Sequence, residues 1–337
     1  MKQNKVAYFE WLRVFAAFAV VLMHTAAKGW NAASVGSEEF QTLTMFDSLV
    51  RWPVPVFVMI TGALFLPRKT ELRTVLKRYV PRVACAWLVW SAICALCFGT
   101  DEGDVLNRFL SGHYHLWYLP FLCGVYLVLP FLQKIAEDKT LTKQLLWVSL
   151  VIAVLIPWLA DLAVLLWPET AGPVCVIENH LNYSFFFDLL AVLVLGHVLH
   201  QTDLSAKARR CIYIAGILGV AVTGVATIWA SNYAGIQNSV FFDHAAPNTL
   251  CAAAAIFVFA KYHLTRLPKL VEWMARHSFG VYLCHAIIIE LLAEQGIHVL
   301  AFDPVWSVPV LAVGIFVTSL ALTAVIAKIP VVGKYLT

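Results

Sequence analysis

Residues 8–25 read YFEWLRVFAAFAVVLMHT, an apolar run long enough for a membrane helix that also contains an arginine and a histidine. Arg13 and His24 are eleven residues apart. At about 100° per residue they face nearly the same side of a helix, and about 16 Å separates them along its axis. Because an ionisable side chain in lipid costs several kcal/mol, both must face protein or water. The stretch therefore predicts a first membrane helix that lines a polar site, with the rest of the chain organised around it.

The whole chain has the composition of a helical membrane protein. Of its 337 residues, 61% are hydrophobic and only 13% are charged, and the mean hydropathy is +0.78. Apolar runs of about 20 residues recur along it, which indicates transmembrane helices. The predicted fold is all-α, with one transmembrane domain over residues 1–337, a retained first helix, and ten spans at about 7–28, 46–66, 79–99, 115–133, 144–162, 182–200, 211–231, 246–263, 279–297 and 306–327.

The basic residues predict the orientation of these spans. Alternate connections carry 20 of the 24 lysines and arginines, from Lys2 and Lys5 to Lys334, whereas the connections between them carry acids such as Glu38. Because basic connections stay in the cytoplasm, the alternation predicts an even number of spans with both termini cytoplasmic. The net charge of +4 is then a signal of topology and does not indicate nucleic-acid binding.

The cysteines and short motifs do not indicate a metal or cofactor site. Most of the eight cysteines lie within apolar runs, where cysteine acts as a small core residue. No second pair accompanies Cys94 and Cys97 to complete a zinc site. The chain has no nucleotide-binding glycine loop, zinc-ligand helix or nucleophile elbow. We therefore expect no metal and no permanently bound cofactor, so that any chemistry must come from intramembrane polar side chains.

The second predicted span contains an arginine beside two prolines. Pro53 and Pro55 leave backbone carbonyls free, so this helix is expected to bend or unwind near its outer end. Irregular backbone at membrane depth borders protein or a wet cavity. Arg51 either extends to the outer headgroups or points into an outward-facing cavity as a substrate-binding residue. Asp188, an acid in the sixth span, is its candidate partner by depth.

The connection at residues 67–82, PRKTELRTVLKRYVPR, carries six basic residues next to the membrane. Positive-inside topology and attraction to anionic lipid explain them, or else they form a cytoplasmic phosphate site. Arg78 and Arg82 are four residues apart, so a helix would present both guanidinium groups to the same phosphate.

The outer mouth of the fourth span is aromatic. His115, Trp117 and Tyr118 fall within the sequence HYHLWYLP at residues 113–120. Such residues form an interfacial belt at the membrane surface, or they stack on a sugar or acyl chain with the histidine as a hydrogen-bonding partner. The sequence leaves both interpretations open, and the second makes these three residues candidate substrate-binding groups.

The ninth span carries a polar stripe. Ser278, Tyr282 and His285 recur at i, i+4 and i+7, so they lie along one face of a helix. A single histidine in a span is more often a core residue than a catalyst. Three polar residues on one intramembrane stripe favour the lining of a substrate site.

In these features the chain resembles the acyltransferase-3 family of membrane proteins. The matching stretches follow one another along the chain: Leu12-Arg13 through His24-Thr25, which has the arginine, ten residues, histidine pattern, then residues 54–62 (VPVFVMITG), 115–119 (HLWYL) and 278–285 (SFGVYLCH). Within the family it is similar to bacterial inner-membrane O-acetyltransferases that modify surface polysaccharides such as enterobacterial common antigen. It departs from the family at Thr61, where serine is usual, and at Asp188, where an uncharged residue is expected.

The resemblance implies transfer of an acyl group, with acetyl expected, from cytoplasmic acyl-coenzyme A to a hydroxyl group of a surface glycan or lipid-linked sugar. His24 would be the general base or a transient acyl carrier. Arg13 would hold the pantetheine or pyrophosphate part of the donor, or stabilise the developing oxyanion. Arg78 and Arg82 would bind coenzyme A phosphates. The implied location is the bacterial inner membrane, with lipids, donor and acceptor as partners.

Other functions fit parts of the same pattern. The acyl group could be another one, such as succinyl. A transporter or flippase would use the same arginine and histidine to bind an anionic substrate. A proton-coupled carrier is expected to have a chain of ionisable residues across the membrane, whereas here they are sparse and concentrated in spans one, two and nine. The enzyme is therefore the favoured interpretation.

Overall fold

The computed structural model describes residues 6–98, 105–181, 186–330 and 332–337, and within these ranges the chain forms helices and no strand. In the same ranges, nine helical segments are long and apolar enough to span a membrane. A shorter apolar helix, Leu189–Gln201, lies at the position predicted for the sixth of ten spans. The prediction of an all-α, polytopic membrane protein is confirmed.

The helices are numbered here in chain order. Their bounds are α1 Ala7–Trp30, α2 Glu38–Ser48, α3 Pro53–Phe65, α4 Leu72–Thr74, α5 Val80–Cys97, α6 Val105–Ser111, α7 Tyr118–Ala136, α8 Lys139–Ser149, α9 Ile156–Leu166, α10 Ala171–Leu181, α11 Phe186–Gln201, α12 Ala206–Ala234, α13 Pro247–His263, α14 Lys269–Glu294, α15 Pro304–Ile326 and α16 Val332–Leu336.

α1 is the central helix of the protein. It contacts α2, α3, α13, α14 and α15. Leu12, Ala16, Val21 and Ala26, which together cover several faces of the helix, are all 0% exposed. A helix enclosed by other helices keeps its ionisable side chains away from lipid. This arrangement supplies the protein environment that Arg13 and its neighbours on α1 require.

The irregular backbone predicted beside the two prolines is present. α2 ends at Ser48 and α3 begins at Pro53, so Arg51 lies in a break between two helices. A proline in the first turn of a helix lacks only a donor that would have no intrahelical partner. Across the break, the Trp52 indole N–H donates to the Leu49 carbonyl at 2.9 Å. The indole therefore satisfies a carbonyl that the interrupted helix leaves free.

Two π-helical turns precede prolines. Val75–Tyr79 lies before Pro81 at the start of α5, and Leu150–Leu155 lies before Pro157 in α9. A proline in an α-helix has no N–H and its ring clashes with the carbonyl four residues earlier. The wider π turn relieves that clash and lets the helix continue. The first of these turns places Arg78 at the membrane end of the basic connection.

α3 packs on α11 at unusually short distance because each helix presents a glycine. A Cβ on Gly62 would lie 1.8 Å from the carbonyl oxygen of Leu193, and a Cβ on Gly196 would lie 2.3 Å from backbone atoms of Met59. Small residues allow membrane helices to approach in this way. α3 also contacts α1, so it is held between α1 and α11.

Gly62→Ala is expected to destabilise the protein by about 1–3 kcal/mol, the usual cost of overpacking. The added methyl group meets rigid backbone of α11, so the two helices must separate. The thermal unfolding midpoint of the purified protein measures the effect. Gly314→Ala on α15 is the matched control, since among the described residues nothing lies within 4 Å of a Cβ there. Equal midpoints for the two variants would contradict the close packing of α3 on α11.

Candidate active site

A cavity of about 380 Å³ lies between α1, α3, α7 and α14. Arg13 lines it near the start of α1, and His24 and Arg51 line it near the other end. Much of the remaining wall is apolar, as at Val20 and Ile60, although Thr61 and Tyr118 also line it. The cavity therefore joins two charged or ionisable ends along a largely apolar wall.

Arg13 and His24 lie on one face of α1, as their spacing predicts. Arg13, Val20, His24 and Ala27 all line this cavity. Their spacings of seven, four and three residues repeat with the period of an α-helix. One face of α1 therefore runs along the cavity, with the arginine and the histidine about 16 Å apart along the helix axis.

His24 is paired with His285 on α14. Nδ1 of His24 lies 2.7 Å from Nε2 of His285. Nδ1 of His285 donates to the backbone carbonyls of Tyr282 at 2.7 Å and Val281 at 3.1 Å. His285 is 0% exposed, whereas His24 is half-buried and faces the cavity. The site thus presents one histidine to the cavity and places a second one behind it.

Two further histidines adjoin this pair. Nδ1 of His113 lies 3.0 Å from Nδ1 of His115, whose Nε2 donates to the carbonyl of Leu283 at 3.2 Å. Both histidines precede α7. The ring of His115 is 1% exposed, and its centre lies 5.2 Å from that of His285. Two contacting pairs of histidines therefore lie next to each other at this end of the protein.

Arg51 turns into the protein instead of extending to the headgroups. Its guanidinium forms an ion pair with the fully buried carboxylate of Asp47, one turn earlier on α2. It also donates to the carbonyl of Phe242 at 3.3 Å and lies 4.0 Å from the centre of that ring. The candidate partner from the sequence was Asp188, whose side chain lies outside the described residues. Among the described residues, the carboxylate that pairs with Arg51 is that of Asp47, one helical turn away.

Arg51→Ala is expected to lower the free energy of unfolding by about 3–5 kcal/mol, because it leaves a buried carboxylate uncompensated. Adding Asp47→Asn to this variant is expected to restore most of the loss. Thermal midpoints of the two single variants and the double variant form the test. If the single losses simply add in the double variant, the two charges do not interact.

The end of the cavity near the start of α1, called the inner end, is built around Arg13; the end at His24 and Arg51 is called the outer end. Its Nη1 donates to Oε1 of the buried Glu10 at 2.7 Å. The ring of Phe279 lines the cavity, and the guanidinium of Arg82 lies 5.6 Å from the centre of that ring. Arg82 also donates to the carbonyl of Thr337 at 2.8 Å. An exposed cation therefore lies directly behind the inner end of the cavity.

Arg78 lies on the same side of the protein but makes different contacts. It belongs to the π turn Val75–Tyr79 and is exposed. Its guanidinium lies 5.9 Å from the centre of the Tyr79 ring. Arg78 and Arg82 are thus both exposed, and their joint binding of one phosphate stays a prediction.

The remaining candidate residues mostly converge on the cavity. Residues of the aromatic mouth and of the α14 stripe line it, namely His115, Trp117, Tyr118, Ser278 and Tyr282. Tyr282 also donates its hydroxyl to the backbone carbonyl of His115. His285, the third member of the stripe, differs from the prediction, because it is fully buried and is not among the residues that line the cavity. It contacts His24, which does line the cavity.

Several charged partners were missed in the sequence. Glu10 and Asp47 precede Arg13 and Arg51 by three and four residues, the spacings at which helical side chains meet, so this signal was present. Lys28 pairs with Glu290 across α1 and α14. Residues 262 positions apart carry no such local signal, and only the packing of the two helices brings them together.

The fold and this cavity define a polytopic membrane protein with an intramembrane site made of a histidine pair and two arginines. Residues 6–328 match the model of the acyltransferase-3 family, which is described as an acyltransferase domain. The chain belongs to this family, and the protein is a membrane O-acyltransferase. No curated protein and no solved structure gives a significant match.

Proposed function

We propose that this enzyme transfers an acetyl group from acetyl-coenzyme A to a hydroxyl group of a surface glycan or lipid-linked sugar, in the bacterial inner membrane. The observation that carries the proposal is the cavity that joins Arg13 to His24 in a member of the acyltransferase-3 family. The distribution of lysines and arginines supports a cytoplasmic position for the Arg13 end.

The shape of the cavity suits a donor that enters from the cytoplasm. Arg78 and Arg82 would bind the phosphates of coenzyme A outside the inner end, as charge-assisted hydrogen-bond donors. The pantetheine arm would pass Arg13 and follow the apolar wall at Val20 and Ile60. Its thioester would then lie beside His24, on the outer side of the bilayer centre.

His24 would act as the general base. It takes the proton of the acceptor hydroxyl as the oxygen attacks the thioester carbonyl, and a new C–O bond forms. The C–S bond then breaks, and the imidazolium returns the proton to the sulfur. The products are an acetyl ester and free coenzyme A thiol, so the step needs no other reactant.

The distance between the two residues favours a binding role for Arg13. Reacting groups must come within about 3–3.5 Å of each other, whereas Arg13 and His24 are about 16 Å apart along α1. An arginine at the inner end is too far away to stabilise an oxyanion that forms next to His24. Arg13 would therefore hold the pantetheine or pyrophosphate part of the donor.

The outer end would hold the acceptor. Trp117 and Tyr118 line it, and the ring of Trp117 lies 5.2 Å from that of His244. Aromatic faces next to the paired guanidinium of Arg51 suit a sugar ring, which needs both stacking and hydrogen bonds. His115, which also lines the cavity, adds an imidazole to this end.

The ion pair at the outer end favours acetyl over succinyl as the transferred group. The thioester would lie at this end, where Arg51 is already paired with the buried carboxylate of Asp47. A succinyl carboxylate would compete with Asp47 for this guanidinium. The same pairing disfavours a flippase that would bind an anionic substrate at Arg51.

Release of free thiol from acyl-coenzyme A by purified protein in lipid tests the proposal. We expect release with acetyl-coenzyme A, slow with water and faster with cell-envelope glycan, and much less with succinyl-coenzyme A. Transfer of label to the glycan should match the thiol released. Vectorial uptake of a substrate into vesicles without thiol release would overturn the proposal.

A further inference from the structure

We infer that His285 is a positioning residue that fixes the tautomer of His24, so that Nε2 of His24 is the basic atom of the site. The inference rests on the proposed function, because it assigns the atom that would accept the hydroxyl proton. It follows from the hydrogen bonds of the two rings, once the donor and the acceptor in each bond are assigned.

The first step concerns His285. A backbone carbonyl oxygen can only accept, so the contacts of His285 Nδ1 with the carbonyls of Tyr282 and Val281 require a proton on Nδ1. The ring is fully buried, and an imidazolium in such a place would lose its hydration. A neutral His285 with its proton on Nδ1 has a lone pair on Nε2.

The second step concerns the contact between the rings. With a lone pair on Nε2 of His285, the hydrogen bond of 2.7 Å requires that Nδ1 of His24 donates. A neutral imidazole carries one N–H, so Nε2 of His24 is left with a free lone pair. That atom is the one ring nitrogen of His24 available to a hydroxyl group in the cavity.

His285 is itself held in place from two sides. The ring of His115 meets that of His285 edge-on, with centroids 5.2 Å apart. His115 donates through Nε2 to the carbonyl of Leu283 and receives the hydroxyl hydrogen bond of Tyr282 on its own carbonyl. The loop before α7 and the segment 281–285 of α14 are therefore joined around His285, which restricts the rotation of its ring.

The arrangement has a chemical consequence for the proton-transfer step. When Nε2 of His24 takes a proton, both of its ring nitrogens carry hydrogen, and the Nδ1–H remains bonded to Nε2 of His285. The acceptor on His285 thus serves the neutral and the protonated ring without rearrangement. Without this acceptor, neutral His24 would be free to carry its proton on Nε2. The basic lone pair would then be on Nδ1, which faces His285.

Two variants of His285 separate positioning from simple packing. His285→Leu removes the acceptor and is expected to lower kcat for thiol release about 10- to 100-fold, the loss usual for groups that orient a ligating histidine. KM for acetyl-coenzyme A is expected to stay unchanged. His285→Gln places an amide oxygen near the position of Nε2, so it is expected to retain most of the activity.

Nitrogen-15 NMR of histidine-labelled wild-type protein in lipid reports the tautomer of His24, and this measurement does not require the enzyme to turn over. We expect a neutral signal with the proton on Nδ1 that disappears in His24→Gln, and we expect a mixture of tautomers for His24 in His285→Leu. A wild-type His24 protonated on Nε2, or wild-type kcat in His285→Leu, would overturn the inference. Absence of thiol release from every acyl donor would instead remove the proposed function, while the NMR result would still decide the tautomer.

Discussion

Replacing His24 with glutamine or asparagine is expected to lower kcat for acyl transfer by about 100- to 10,000-fold, the contribution of a positioned general base. Both amides lack a basic nitrogen. Asparagine still places an amide near the position of Nδ1, where it can donate to His285. If both variants lose activity, the loss is therefore due to the missing Nε2 and not to the missing contact with His285. Thiol release and acetylation of glycan are the two measurements.

A matched histidine outside the cavity serves as the control. His298 is exposed and lies beyond the end of α14, so His298→Gln is expected to leave kcat unchanged. The thermal midpoint of His24→Asn should remain close to that of the wild type, because its amide can still donate to the buried Nε2 of His285. His24→Gln leaves that acceptor unpaired and is expected to lower the midpoint. Full activity of a well-folded His24→Gln protein would exclude the general-base mechanism.

Replacing Arg13 with glutamine is expected to raise KM for acetyl-coenzyme A by about 10- to 150-fold, which corresponds to the loss of a hydrogen bond to a charged group worth roughly 1.5–3 kcal/mol. The turnover number at saturating donor is expected to change much less. Arg13→Lys keeps the charge but loses the planar fork, so an intermediate KM is expected. Steady-state kinetics of thiol release at varied donor concentration measure both constants.

The pairing of Arg13 with Glu10 makes a stability control necessary. Arg13→Gln leaves the buried Glu10 carboxylate without its partner, which destabilises the fold apart from any effect on the donor. Adding Glu10→Gln is expected to restore the thermal midpoint and to leave KM high. A fall in kcat with unchanged KM would instead place Arg13 at the reacting carbonyl and contradict its assignment to donor binding.

Local spacing explains what could be predicted about this site. Arg13 and His24 share one helix, so the period of 3.6 residues was enough to place them on one face. The interruption at Pro53 followed from the missing backbone N–H of proline. The same reasoning could have found Asp47 as the partner of Arg51, because an i, i+4 pair needs no knowledge of the tertiary structure.

Contacts between distant helices could not be predicted in this way. His285 was assigned to the substrate through its place on the α14 stripe, and the structure puts it behind His24 because α1 and α14 pack side by side. Helical periodicity specifies which residues share a face but not which helix lies opposite that face. The pairing of Lys28 with Glu290 was missed for the same reason.

The sequence by itself determined that this protein is a bundle of apolar helices in a membrane with one polar face on its first helix. Composition and periodicity are sufficient for this, because lipid excludes ionisable groups and unpaired backbone everywhere along the chain. The tertiary structure alone decided how the rings of His24 and His285 meet and which carbonyls hold the second ring. Those contacts depend on the packing of α1 against α14, and a hydrogen bond between two rings depends on distances that no spacing along the chain determines.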